Sequence, residues 1–116
     1  MQKMLIQLDV EKIERDDKYD INRMWKLIDE VFIKHKCDKE KKIDGSIMYL
    51  GKPENDSNFG IFSSAYLILR QKRWFFENVK VWHWYDNDDD ETLPYQDMDC
   101  LADAKKELGK SFVLRG

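Results

Sequence analysis

The chain has 116 residues, of which 42% are hydrophobic and 37% charged, with a formal net charge of -3. This length is typical of one domain with one core, and the apolar content is too high for a disordered chain. The negative balance makes nucleic acid an unlikely partner for the surface as a whole, because attraction to phosphates needs a positive potential. We therefore expect a single domain over residues 1–116.

The cysteine content and the apolar runs bear on where the protein works. Two cysteines, Cys37 and Cys100, are too few for a disulfide framework, and we expect no leader before the first predicted strand. The longest apolar run, residues 65–69, is far shorter than the ~20 residues that cross a bilayer. We expect a cytoplasmic protein with no membrane contact.

The N-terminal part of the chain predicts a strand followed by a helix. Residues 4–10 alternate in hydropathy, which indicates a strand. Residues 11–18 are charged and predict a connector, in which Ile13 can reach the core. Apolar residues at spacings of three and four predict a helix that begins after the N-cap Asp20 and runs to about Lys36.

The middle of the chain predicts a loop, a strand and a second helix. Residues 37–42 read as a charged exit loop, and residues 46–50 as a short strand after a turn. Residues 51–58 are rich in turn-forming residues and predict a loop. Residues 59–73 satisfy the helical and the strand period only in part. We choose a buried helix for them, capped by the preceding polar residues, while a strand stays open as the alternative.

A run of β-branched and aromatic residues over positions 80–86 predicts a strand with large side chains on both faces. Alternation places Trp82 and Trp84 on one face, and Val79 and Val81 on the other. We expect the valines to lie in the core. The tryptophan pair is either covered by a remaining helix, which we favour, or partly open.

The C-terminal part predicts an acidic loop over residues 86–94 and a helix that is capped by Asp97 or Asp99 and ends at Leu108. Residues 112–114 can close the chain as an edge strand. The order of elements predicts a small α+β sandwich, with three or four short strands and about three helices packed on the sheet.

The strongest local charge lies in residues 86–103, which hold eight acidic residues and no lysine or arginine. Such a field attracts basic protein surfaces and repels nucleic acid, whereas the simpler interpretation is a solvated turn that aids solubility. The aromatic residues just before it can supply buried area after contact. The predicted partner-binding site consists of Trp82, Trp84, Tyr85, Asp86, Asp88, Asp89, Asp90 and Glu91.

The spacing of the candidate metal ligands does not match that of calcium or zinc sites. Residues 86–97 lack the glycine at position six and the glutamate at position twelve of an EF-hand loop. The four soft ligands, His35, Cys37, His83 and Cys100, lack the pairing typical of structural zinc sites. We expect no metal and no cofactor.

Catalytic motifs are also missing, because the chain has no nucleophile elbow, P-loop, dinucleotide fingerprint or zinc-protease motif. No catalytic residue is predicted. The first hypothesis is a non-enzymatic protein-binding module of the inhibitor or accessory type, and a small enzyme is the third.

The second hypothesis is a nucleic-acid-associated accessory domain. It depends on the basic cluster Arg70, Lys72 and Arg73, where cations can contact phosphates. Further lysines can join this cluster, namely Lys34, Lys36, Lys39, Lys41 and Lys42. Cations at the C-terminal ends of helices explain part of this pattern without any ligand.

Overall fold

The computed structural model describes residues 1–88 and 90–116. Its strands are β1 (Gln2–Leu8), β2 (Asp38–Lys41), β3 (Ile47–Leu50), β4 (Val79–Asp86) and β5 (Gln96–Asp99). Its helices are α1 (Val10–Asp16), α2 (Ile21–Ile33), α3 (Asn58–Arg70), α4 (Arg73–Phe76) and α5 (Cys100–Glu107). The strands form one antiparallel sheet in the order β2-β3-β1-β4-β5. The predicted α+β class is confirmed, with five strands in place of three or four.

One face of the sheet is covered by helices. Phe32 of α2 stacks on Tyr49 of β3, with ring centroids 4.0 Å apart. Phe75 of α4 meets Trp82 of β4 edge-on at 4.9 Å, and Tyr66 of α3 lies 5.2 Å from the same indole. Each large side chain buried in this way contributes roughly 1.5–3 kcal/mol. This layer of rings joins the helices to the sheet.

On the opposite face of the sheet, which we call the open face, the side chains of β1, β3 and β4 are partly exposed to solvent. Strand alternation explains this division, because successive side chains of β1 are alternately buried and partly exposed. The buried residues that the helices contribute belong to the same core as the covered face. The open face of β1, β3 and β4 consists of Lys3, Leu5, Gln7, Met48, Leu50, Val81, His83 and Tyr85.

The predicted long helices are confirmed. α2 begins after Asp20, whose carboxylate accepts a hydrogen bond from the Asn22 amide at 2.9 Å. Residues 58–70 form a helix and not a strand, although the side chain of Ser57 makes no capping hydrogen bond. Asp99 caps α5 and accepts from the Ala102 amide at 3.0 Å.

One predicted connector is a helix. Asp9 caps α1 by accepting from the Lys12 amide at 3.2 Å, and Ile13 is buried as expected. The predicted connector at residues 11–18 was therefore wrong, because a cap and one buried residue suffice for this short helix.

The edge strands were missed. All four residues of β2 are exposed, so residues 37–42 show no apolar alternation, and the predicted exit loop was wrong there. The sequence of β5 does not predict a strand either, because two of its four residues are aspartates. Residues 112–114 do not join the sheet; Phe112 instead forms an isolated bridge with Leu108.

The loop after β3 depends on a glycine. A Cβ atom on Gly51 would lie 2.8 Å from the Cγ and Oδ1 atoms of Asn58, which is buried and whose amide donates to the Lys52 carbonyl at 2.8 Å. We predict that Gly51→Ala lowers the free energy of unfolding by about 1–3 kcal/mol, because the new methyl group overpacks this contact. Urea denaturation measures the change.

Gly60 provides the matched control, because nothing lies within 4 Å of a Cβ placed there. Gly60→Ala is expected to leave stability unchanged or raise it by up to ~1 kcal/mol, since alanine favours the helix. Equal effects of the two substitutions would contradict the close approach at Gly51.

Candidate functional site

The structure divides the predicted site residues among three environments. Trp82 and Trp84 lie on the covered face, and Tyr85 lies on the open face. The acidic residues follow in the loop after β4, where Asp88, Asp90 and Glu91 are exposed. The predicted site residue Asp89 lies outside the described residues.

The tryptophans are core residues. Trp82 is 0% exposed and Trp84 is 8% exposed, and the Trp84 ring lies 5.4 Å from that of Phe59 in α3. They share a face, as alternation predicted, and it is the face that the helices cover. Their predicted role as contact area for a partner is therefore corrected, because α3 and α4 already occupy their surfaces.

A β-bulge separates the two valines, which were predicted to share a face. The pairing of β1 with β4 shifts between Gln7 and Leu8, so that Leu8 pairs with Val79 and Gln7 with Val81. Val79 is buried as expected. Val81 lies on the open face and not in the core, because it alternates with the buried Trp82. The bulge interrupts the alternation between Val81 and Val79 and so brings Val79 to the covered face.

A hydrogen-bonded relay anchors the acidic loop to the core. The indole Nε1 of Trp84 donates to Gln2 Oε1 at 2.6 Å, and Gln2 Nε2 donates to Asp86 Oδ1 at 2.5 Å. The backbone amide of Asp88 donates to the same carboxylate oxygen at 2.7 Å. Gln2 is only 1% exposed. Asp86 thus fixes the start of the loop.

The rest of the loop is held by local hydrogen bonds. The Asp90 amide donates to the Asn87 carbonyl at 3.0 Å, and the Asp90 carboxylate accepts from the hydroxyl and the amide of Thr92 at 2.7 and 2.9 Å. These two hydrogen bonds from Thr92 hold the pKa of Asp90 below its usual value. Asp90 therefore remains charged at neutral pH.

An aromatic cluster lies beside this loop on the open face. His83 Nδ1 is 2.6 Å from Asp97 Oδ1 of β5, and the rings of His83 and Tyr85 are nearly parallel with centroids 6.0 Å apart. Lys3 Nζ lies 4.7 Å from the centroid of the Tyr95 ring. Burial and the charge of Asp97 raise the pKa of Tyr85, so its hydroxyl stays protonated.

His83, Tyr95 and Asp97 belong to this cluster but were not predicted as site residues from the sequence. Alternation alone places His83 on the face of Tyr85, which is a signal that the search for a site could have used. Asp97 and Tyr95 reach the cluster only through the pairing of β5 with β4, and the sequence of β5 does not predict a strand.

Ion pairs differ between the two edges of the sheet. On β2, Asp38 pairs with Lys52 at 3.7 Å and Glu40 with Lys42 at 3.2 Å. Among residues 86–88 and 90–103, Glu91 pairs with the amine of Met1 at 3.6 Å, and Asp97 Oδ1 lies 2.6 Å from His83 Nδ1. Two lysines thus balance the acids on β2, whereas no lysine or arginine lies in the sequence of the acidic stretch, residues 86–103.

One residue of the predicted basic cluster, Arg70, contacts two aromatic rings. The guanidinium of Arg70 lies 4.5 Å from the centroid of the Phe112 ring and 5.2 Å from that of Tyr66. These contacts hold Arg70 against the C-terminal segment. Phosphate binding by this cluster stays a prediction.

The described residues offer neither a metal site nor a reactive thiol. Over residues 1–88 and 90–116, no three His, Cys, Asp or Glu side chains are grouped to hold a metal ion. In that part of the chain no helix is long and apolar enough to cross a membrane. Cys37 and Cys100 are buried free thiols, and burial raises the pKa of both, which disfavours the reactive thiolate.

Comparison of the chain with protein-family models, with curated proteins and with solved structures gives no match. A functional proposal therefore rests on the geometry of the open face and of the acidic residues beside it.

The relay through Gln2 yields a test of how the loop is held. Gln2→Met removes the acceptor of a buried indole N–H and the donor to Asp86. We predict a loss of about 1–3 kcal/mol in the free energy of unfolding, because a buried donor is left without a partner. Urea denaturation followed by tryptophan fluorescence measures it.

Gln7→Met is the control on the same strand. Gln7 lies on the open face and donates to the Asp44 carbonyl at 3.0 Å in an exposed position. Its replacement should cost less than about 1 kcal/mol. If Gln2→Met is no more costly than Gln7→Met, the relay does not anchor the loop.

Proposed function

We propose that the protein is a non-enzymatic binding module that docks a basic surface of a partner protein onto its open face. The observation that carries this proposal is the juxtaposition of an acidic stretch with partly exposed aromatic side chains on an uncovered sheet. The contact surface has an aromatic part, His83, Tyr85 and Tyr95, and an acidic rim, Asp88, Asp90, Glu91, Asp97 and Asp99.

The acidic rim acts first, by steering. Hydrogen bonds from uncharged groups, such as those from Thr92 to Asp90, fix a carboxylate in place but leave its charge intact. Several fixed charges of one sign raise the rate of encounter with an oppositely charged partner. The effect weakens as salt rises, since the screening length is about 8 Å at physiological ionic strength.

The aromatic part acts after contact, by losing water. Tyrosine is enriched at the centres of protein interfaces, where its ring supplies large apolar area and its hydroxyl can still form a hydrogen bond. Tyr85 is held by a rigid strand and stacked on His83. A surface that is already ordered loses little conformational entropy on binding, so more of the contact energy appears as affinity.

The module acts by occupying a basic site on its partner, in the manner of an inhibitor or accessory protein. The buried free thiols of Cys37 and Cys100 fit a reducing compartment, and we place its action in the cytoplasm. A basic partner surface that normally binds nucleic acid would present the charge that this rim complements.

The charge of the rim can be changed without altering the loop. Asp88 has a positive φ of 57°, which asparagine tolerates, and asparagine at position 90 still offers Thr92 an acceptor. We predict that the triple variant Asp88→Asn, Asp90→Asn, Glu91→Gln binds its partner with association about tenfold slower and dissociation little changed. The partner is first captured by cross-linking in lysate of the source organism, and surface plasmon resonance then measures both rates at low and physiological salt.

The matched control replaces three exposed acids outside the rim, Glu11, Glu14 and Glu54, by glutamine, which changes the net charge equally. This control should associate almost as fast as the wild type. Tyr85→Ala should act oppositely to the triple variant, with faster dissociation and unchanged association. Equal slowing by the rim variant and the control would contradict the proposal, and loss of binding on replacing Arg70 and Arg73 instead would favour a nucleic-acid partner.

A further inference from the structure

A second surface of different chemistry lies on the helix side of the sheet. α2 and the hairpin of β2 and β3 enclose a groove of about 380 Å³. The residues that α2 contributes are three or four positions apart and so share one face of the helix. They are Asn22, Trp25, Lys26 and Asp29. The hairpin contributes three lysines, Lys39, Lys41 and Lys42.

Strand alternation explains why lysines gather here. Lys39 pairs with Tyr49 and Lys41 with Ile47, and both partners are buried on the covered face. The sequence Asp-Lys-Glu-Lys of β2 therefore turns its two lysines toward α2 and its two acids toward the open face. The pairing of β2 with β3 separates charges that are adjacent in the sequence.

The one acidic residue that lines the groove, Asp29, already accepts two hydrogen bonds. Asp29 accepts from the Tyr49 hydroxyl at 2.5 Å and from Lys39 Nζ at 2.7 Å. Burial, and next the hydrogen bond to Asp29, raises the pKa of Tyr49, which therefore stays a donor. Asp29 thus fixes Lys39 at the base of the groove and offers little repulsion to an anion.

Two further lysines of the groove have no ionic partner among the described residues. Lys42 is paired with Glu40 at 3.2 Å, but Lys26 and Lys41 take part in none of the ion pairs of the described residues. Both line the groove, Lys26 from α2 and Lys41 from β2. Two free ammonium groups at one groove are suited to an anion such as a phosphate.

Trp25 adds an apolar surface to these cations. It is partly exposed, it packs against the core, and it lines the groove. Aromatic faces stack on flat rings, including nucleobases, with little dependence on the identity of the ring. The side-chain amide of Asn22 lines the same groove and can donate and accept hydrogen bonds.

We propose that this groove binds a small phosphorylated ligand with a flat ring, of the size of a mononucleotide. Its phosphate contacts Lys26 and Lys41, and its ring stacks on Trp25. The volume of the groove falls within the range of about 300–1,000 Å³ that is common for small-molecule sites. The groove lies on the side of the sheet opposite to the open face, so this ligand and a docked protein would not compete.

The surroundings favour a short ligand over a nucleic-acid strand. A strand needs a continuous positive track, whereas acids flank the lysines of the hairpin on either side. Asp38 and Glu40 turn to the open face, and Asp44 lies in the turn, where hydrogen bonds from Ser46 hold its pKa below the usual value. The lysines of the hairpin are therefore bounded by acids in the sequence and do not form a continuous basic track.

Titration calorimetry with adenosine monophosphate as the probe tests this proposal. We expect the wild type to bind it at or below millimolar concentration, and the double variant Lys26→Gln, Lys41→Gln to bind about tenfold more weakly, because both cationic contacts to the phosphate are lost. The control variant Lys105→Gln, Lys106→Gln removes the same charge from exposed positions on α5 and should bind like the wild type. Thermal denaturation verifies that all variants are folded.

Three further measurements distinguish the contributions of the phosphate and of the ring to binding. Adenosine and inorganic phosphate should each bind more weakly than the nucleotide, and Trp25→Leu should weaken the nucleotide and adenosine but not phosphate. Absence of binding at millimolar nucleotide, or equal affinity of the double variant and the wild type, would overturn the proposal. Binding of a single-stranded oligonucleotide more than tenfold tighter than the nucleotide would overturn it in favour of nucleic acid.

Discussion

The burial of Trp82 under two helices is the contact on which the rest of the architecture depends. Phe75 of α4 meets its indole edge-on and Tyr66 of α3 packs beside it, so the centre of β4 is joined to the helical layer. Because neighbouring side chains of a strand point in opposite directions, this one contact determines that His83 and Tyr85 face away from the helices. The open face is thus a direct consequence of how the core is packed.

The same alternation sorts charge between the two sides of the molecule. The lysines of β2 turn toward α2, and its acids turn toward the open face, because β2 is paired in register with the buried positions of β3. On the other edge, β5 brings Asp97 against His83. A chain with a net charge of only -3 therefore presents the acidic rim on one side and a groove lined by lysines on the other. The two binding surfaces that we propose therefore carry opposite charges.

Signals that are local to the sequence predicted their elements, and those that arise from pairing did not. The apolar stripe and the Asp20 cap of α2 are properties of its own residues, and the fold confirms them. β2 and β5 contain almost no apolar alternation and exist as strands because β3 and β4 offer them an edge. Similarly, alternation predicted that Trp82 and Trp84 share a face. Which face is covered depends on α3 and α4, and the bulge beside Leu8 lies beyond any period-two pattern.

Both proposed binding surfaces depend on a one-sided arrangement, in which helices cover one face of the sheet and leave the other accessible. Hydroxyl-radical footprinting with mass spectrometry tests it residue by residue, because oxidation requires access by solvent. We predict rapid modification of Met48, His83 and Tyr85, and protection of the alternate residues Met4, Tyr49 and Trp82. Modification of Trp82 as fast as that of Tyr85 would contradict the one-sided sheet and, with it, the separation of the two proposed binding surfaces.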